Sequence, residues 1–215
     1  ASATSDYFRS NVASGNWNAN GTWQSSHNNV NWFTATATPT NAANTITIRT
    51  GNTITVTANV TVDQVIVDAG GQVNINSGIT WTINDGTSTD LIVTGTVDNT
   101  GTLGGTGGPQ VTIDGTFINR NTINLGGGST LAFGANSIYQ HAQNGGTIPT
   151  ATWDATSNCN ITGVTTTVPT TASFGQSFGN FTWNSPSQTV AVSLAGNLTT
   201  INGNFTITST GSGSL

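Results

Sequence analysis

The sequence has no lysine, no glutamate, no methionine and one cysteine, Cys159. Charged residues fill 5% of its 215 positions, against about 25% in an ordinary soluble domain. The basic residues are Arg9, Arg49 and Arg120, and every acidic side chain is an aspartate. These gaps exclude whole classes of function. Three scattered arginines under a net charge of −5 build no basic groove, so no nucleic-acid partner is expected. A single cysteine makes no intrachain disulfide. With only His27 and His141 beside it, it supplies no structural zinc set. Cys159 reads as a small buried hydrophobe. No apolar run approaches the ~20 residues that cross a bilayer, so no membrane insertion is expected.

What is present points to β structure. Only 34% of the residues are hydrophobic, a level that can accompany disorder, but disordered chains are poor in β-branched and aromatic residues. Here Val, Ile, Thr, Phe and Trp recur in alternating runs, which suits half-buried strands. Asn and Gly between the runs tolerate the backbone of tight turns. In Thr45-Ile46-Thr47-Ile48 and Thr53-Ile54-Thr55-Val56, the aliphatic residues share one face. Gly51-Asn52 between them fits a hairpin turn or a solenoid corner.

A repeat decides between those two. Leu91, Val111 and Leu131 are spaced by 20, as are Val93, Ile113 and Phe133. Gly95, Gly115 and Ala135 keep the same offset, and so do Leu103 and Ile123. One short coil cannot bury its own inward side chains, but stacked coils form a continuous apolar column. The competing β-sandwich, with strands every 8–12 residues, gives no reason for a fixed offset of this length. The expected fold is therefore all-β: a right-handed parallel β-helix with coils of about 20 residues. Its core column would be Leu91, Val93, Val111, Ile113, Leu131 and Phe133. Four zones are expected. Residues 1–43 form a Trp-rich cap, with Trp17, Trp23 and Trp32 closing it, because a solenoid must protect its open strand edges. Residues 44–141 are regular coils. Residues 142–190, with Pro149, Pro169 and Pro186, are looser coils or an insertion. Residues 191–215 resume the pattern, and the chain is predicted to continue beyond Leu215.

Several segments resemble a known group of proteins. Ser14-Gly15-Asn16-Trp17 and Gly21-Thr22-Trp23 lead through Pro39-Thr40 to Asn44-Thr45-Ile46-Thr47-Ile48 and Gly51-Asn52-Thr53-Ile54-Thr55-Val56. This order resembles the start of large secreted surface β-helix proteins of Bacteroidota. The stretches from Tyr139 to Trp153 and from Phe178 to Asn184 are similar to such proteins too. The resemblance implies export by the type IX secretion machinery, signal-peptide removal, and an extracellular or outer-surface location. The opening Ala1-Ser2-Ala3 reads as a mature N-terminus. It implies no reaction.

Candidate chemistry is sparse. Arg120 lies in the regular coils, with Asp98 and Asp114 in neighbouring ones, but corner aspartates and a solvent-facing arginine explain all three. A glycosidase needs two carboxyl groups about 5–9.5 Å apart. Asp63, Asp68, Asp85, Asp90, Asp98 and Asp114 are available, yet most adjoin turn residues. Segment Asp85-Gly86-Thr87-Ser88-Thr89-Asp90 offers oxygens to calcium but lacks the helix-loop signature, so no cofactor is expected. His27 and His141 have no nucleophile at motif spacing. Recurrent Thr-x-Thr pairs suit an ice-binding ladder, but also ordinary outward strand faces. Trp81, Trp153 and Trp183 are the glycan-contact candidates if they turn outward. Parity instead puts Trp81 with Ile79 and Ile83, and Trp183 with Phe181, which favours the core. The reading is a non-catalytic structural or adhesive stalk of a surface or secreted protein, with glycans or other surface proteins as partners. The alternative is a carbohydrate-binding or polysaccharide-degrading β-helix.

Overall fold

The computed structural model describes residues 1–215, and the chain winds as a parallel β-solenoid of about 7 turns. Coils average ~22 residues, slightly more than the spacing of Leu91, Val111 and Leu131. Two nine-stranded sheets form two sides of the stack, the first ending at Thr152–Trp153 and continued by a two-stranded sheet that starts with Ser177–Phe178, and a four-stranded sheet lines the third side. The first sheet carries Thr45–Ile48, Val65–Val67, Leu91–Val93, Gln110–Ile113, Thr130–Phe133 and Thr152–Trp153. The second carries Thr53–Val56, Gln72–Ile75, Thr96–Asn99, Thr116–Asn119, Ile138–His141, Asn158–Ile161, Asn180–Asn184 and Phe205–Ser209. Because Thr45–Ile48 and Thr53–Val56 lie in different sheets, Gly51-Asn52 is a corner and not a hairpin. Gly51 takes a φ of 78° there, which only a residue without Cβ adopts at no cost.

The periodic side chains form the core. Leu91 pairs with Val111 and Val111 with Leu131; Val93, Ile113 and Phe133 stack likewise. All six are buried, within one cluster of 37 residues. Every inward position thus sits on another inward position one coil away, and burial is shared along the axis. The offset of 20 breaks after Phe133. Thr116 pairs with Ile138, so the corner Gly134-Ala135-Asn136-Ser137 is longer than Thr94-Gly95 or Asp114-Gly115. Ala135 is exposed, and buried Ser137 stands where Gly95 and Gly115 stand in the earlier coils. Gly115 is required where it is: a Cβ would lie 2.2 Å from the Gly95 carbonyl oxygen.

At the N-terminal end, Tyr7–Ser10 pairs in parallel with Thr45–Ile48 and antiparallel with Trp23–Ser26, which in turn pairs antiparallel with Phe33–Thr34. Reversing direction here takes up the strand edge of the first coil. Trp17 and Trp23 are buried edge to face at 4.9 Å, and Trp17 reaches Trp81 of the coils at 5.6 Å. Trp32 corrects the expectation for the cap. It is only half-buried and packs on the outside, 4.1 Å from the Arg9 guanidinium. From residue 142 onward the strands Thr152–Trp153, Asn158–Ile161 and Asn180–Asn184 join the existing sheets, so this stretch is coil and not insertion. It packs aromatics inward, Phe174 from the turn before Ser177–Phe178 and Phe178 and Phe181 from the strands themselves. In the last coil Phe205 and Ile207 remain 47% and 52% exposed.

Candidate functional site

The three tryptophans proposed for sugar stacking all lie inside. Trp81 and Trp183 are fully buried, and Trp153 is 9% exposed. Trp153 stacks on Phe133 at 4.3 Å and donates its indole N–H to Gln176 Oε1 at 3.1 Å. Trp183 donates to Gln188 Oε1 at 2.7 Å. The Trp81 indole N–H has no partner. Alternation explains this: Trp81 shares parity with Ile79 and Ile83, Trp183 with Phe181 and Trp153 with Ala151, all packed on the core. Trp81, Trp153 and Trp183 are therefore corrected from glycan contacts to core residues.

The acidic residues hold coils together. Arg120 Nε donates to Asp98 Oδ1 at 2.8 Å on the outer face, and Asp114 is not part of this pair. Asp90 is fully buried and accepts from the Gly86 N–H at 2.9 Å and the Gln110 N–H at 2.7 Å. Gln64 Nε2 reaches the Thr87 carbonyl at 2.6 Å and both Asp63 Oδ1 and Asp90 Oδ1 at 3.4 Å. An amide N–H₂ thus occupies the space between the oxygens that the Asp85–Asp90 loop offers. Burial and the adjacent Asp90 carboxyl raise the Asp63 carboxyl above its ordinary range, although the Gln64 backbone N–H pulls the other way.

A polar chain that the sequence reading missed runs through the core. Asn99 Nδ2 donates to Asn119 Oδ1 at 3.0 Å and to the Thr122 carbonyl at 2.9 Å. Asn119 Nδ2 donates to Tyr139 Oη at 3.2 Å. Tyr139 Oη lies 3.0 Å from His141 Nδ1, and His141 Nε2 lies 2.7 Å from the Gly145 carbonyl. A carbonyl only accepts, so Nε2 carries the proton and Nδ1 accepts from the tyrosine. His141 is fully buried, and burial lowers its pKa despite the Gly145 contact. Burial raises the Tyr139 phenol and the Cys159 thiol far above their usual ranges. All of these groups are held neutral. The signal was available: Asn99 and Asn119 sit one repeat apart, on the parity of Val97 and Phe117.

The outward face of the second nine-stranded sheet forms a shallow groove of about 590 Å³ between Thr116 and Asn184. Gln140, Asn160 and Thr182 form its floor, one above another in register. No charged residue lines it, and Ile138 is its one hydrophobic residue. The chain matches no known protein family, no curated protein and no solved structure.

Proposed function

We propose that this chain is a non-catalytic structural or adhesive stalk module of an exported protein. On this reading it is carried out by the type IX machinery, loses its signal peptide and is displayed at the cell surface. The observation that carries the reading is the parallel ladder of the second long sheet, unbroken from Ser14–Asn16 to Phe205–Ser209. The two long sheets join coil to coil along the stack, over one continuous core. Such a rod spaces a binding region from its anchor and gives proteases few loose loops to cut. About seven coils at ~4.8 Å each extend it by roughly 34 Å. The placement of the ionisable groups agrees with this role. Asp90 is spent on backbone N–H groups, Asp98 on Arg120, and the Asp154 carboxylate on the N–H and hydroxyl of Thr156.

Antibody raised against the folded chain tests display directly. It should label intact source cells, and brief protease treatment sufficient to strip other surface proteins should leave the folded stalk epitope. Labelling only after lysis would refute surface display. Release of new reducing ends from a polysaccharide incubated with the purified chain would refute the non-catalytic reading.

A further inference from the structure

We infer that the amide-lined groove on the second long sheet is a binding site for a neutral polysaccharide. Along the N-terminal coils of this outward face, the amide and carboxylate side chains are paired, while the hydroxyls of Thr53, Thr55 and Thr96 face solvent. Gln72 Nε2 donates to Asn74 Oδ1 at 2.6 Å, and Asp98 is paired with Arg120. The groove wall is similarly fixed. Asn158 Nδ2 donates to the Ser137 and Thr156 carbonyls, and its Oδ1 accepts from Asn180. The floor differs. Gln140, Asn160 and Thr182 make no side-chain hydrogen bond within the protein, and neither does neighbouring Asn184. Unpaired amides therefore collect in the concavity, beside a wall that the bonds of Asn158 and Asn180 hold in place.

The chemistry of those groups selects the ligand class. Each amide offers two donors and an acceptor oxygen, and each hydroxyl does both. That set matches sugar hydroxyls, which also donate and accept. Neither formal charge nor clustered donors favour a phosphate, a uronate or a polyamine; the nearest ion pair, Asp98 with Arg120, neutralises itself. The floor repeats once per coil, at the ~4.8 Å spacing of adjacent strands, so a polymer with a short regular repeat meets equivalent groups in succession. Only Ile138 adds apolar surface, and the aromatic rings of this sheet all point inward. Each sugar is consequently held weakly, and retention grows with chain length through repeated contacts. This proposal gives the stalk a ligand, and the stalk reading stands without it.

Affinity electrophoresis of the full chain tests it, in gels containing hydroxyethyl cellulose, galactomannan or soluble starch, with polygalacturonate and chitosan as charged controls. The wild type should be retarded by at least one neutral polymer and by neither charged one. Gln140→Ala/Asn160→Ala removes two floor partners and should weaken retention about tenfold. Thr61→Ala/Thr82→Ala, on the outward face of the four-stranded sheet, should leave it unchanged. Thermal melts of both variants should match the wild type, since neither pair is buried. No retardation by any neutral polymer would overturn the proposal, as would retention that survives the floor substitutions or a preference for a charged polymer. Sedimentation covers the other occupant. A wild-type dimer that the floor variant dissolves would assign the groove to a second copy and overturn the proposal. Loss of binding with surface labelling and protease resistance intact would fail the groove and spare the stalk.

Discussion

Ile113 and Ile207 offer the same side chain in two positions of one stack. Ile113 is fully buried, with Val93 on the coil below and Phe133 on the coil above. Ile207 rests on Trp183 alone and is 52% exposed. Substituting either with alanine removes three carbons, worth about 2.4 kcal/mol if all leave a fully buried site. At Ile113 the coils on both sides hold the walls apart, so an enclosed cavity adds to this and brings the cost into the ~2–5 kcal/mol range. At Ile207 about half the transfer energy is already forgone and no cavity closes, which leaves about 1 kcal/mol. Urea titration reads the difference as a shift in midpoint at constant slope. A lower slope for Ile113→Ala alone would mean that the stack now opens in two parts, as nearest-neighbour coupling permits. Equal costs at the two positions, or a larger cost at Ile207, would refute the stacking argument.

Two further outcomes are expected. Gly115→Ala forces a Cβ against the Gly95 carbonyl, which is backbone and cannot swing away; it should cost about 1–3 kcal/mol, whereas Gly127→Ala, with open space around it, should change the melting temperature little. His141, whose pKa is lowered in the fold, is protonated in the unfolded chain before it is in the native one. Its contribution is present above the unfolded value of about 6.5 and is lost as pH falls below it, by at most ~1.4 kcal/mol per pH unit. The wild type should therefore lose more stability between pH 7.5 and pH 5.5 than His141→Gln does, and equal losses would show that the buried imidazole is not the acid-sensitive group.

The parts of the fold that follow from strict alternation were legible. Leu91, Val111 and Leu131 announce their stacking because inward residues must meet inward residues across coils, and the intervening corners have equal length. Coil length was less legible. The corner from Gly134 to Ser137 is extended without disturbing either strand it joins, so nothing in the pattern of Phe133 or Tyr139 marks the change. Parity also placed Trp81 and Trp183 in the core, against their candidacy as sugar contacts. Trp32 was misread because composition alone does not distinguish a ring that closes a core from one that covers an arginine. The groove was hidden for a different reason. Gln140 and Asn160 look like any outward amides, and only the bonds made by Gln72, Asn74, Asn158 and Asn180 on the same face set them apart.

Successive coils lie in register as a parallel rod. Paired cysteines at outward positions measure this most directly, because adjacent parallel strands bring Cα atoms within the 4.4–6.8 Å that a disulfide spans. Thr112 and Ala132 are register partners in the first long sheet, while Thr112 and Thr102 lie in different sheets. Native Cys159 is buried and stays out of the exchange. Under mild oxidation, Thr112→Cys/Ala132→Cys should form an intrachain link recovered as a single cross-linked peptide pair, and Thr112→Cys/Thr102→Cys should not. The reverse pattern, with the ten-residue pair linked and the twenty-residue pair free, would contradict the solenoid and restore the sandwich.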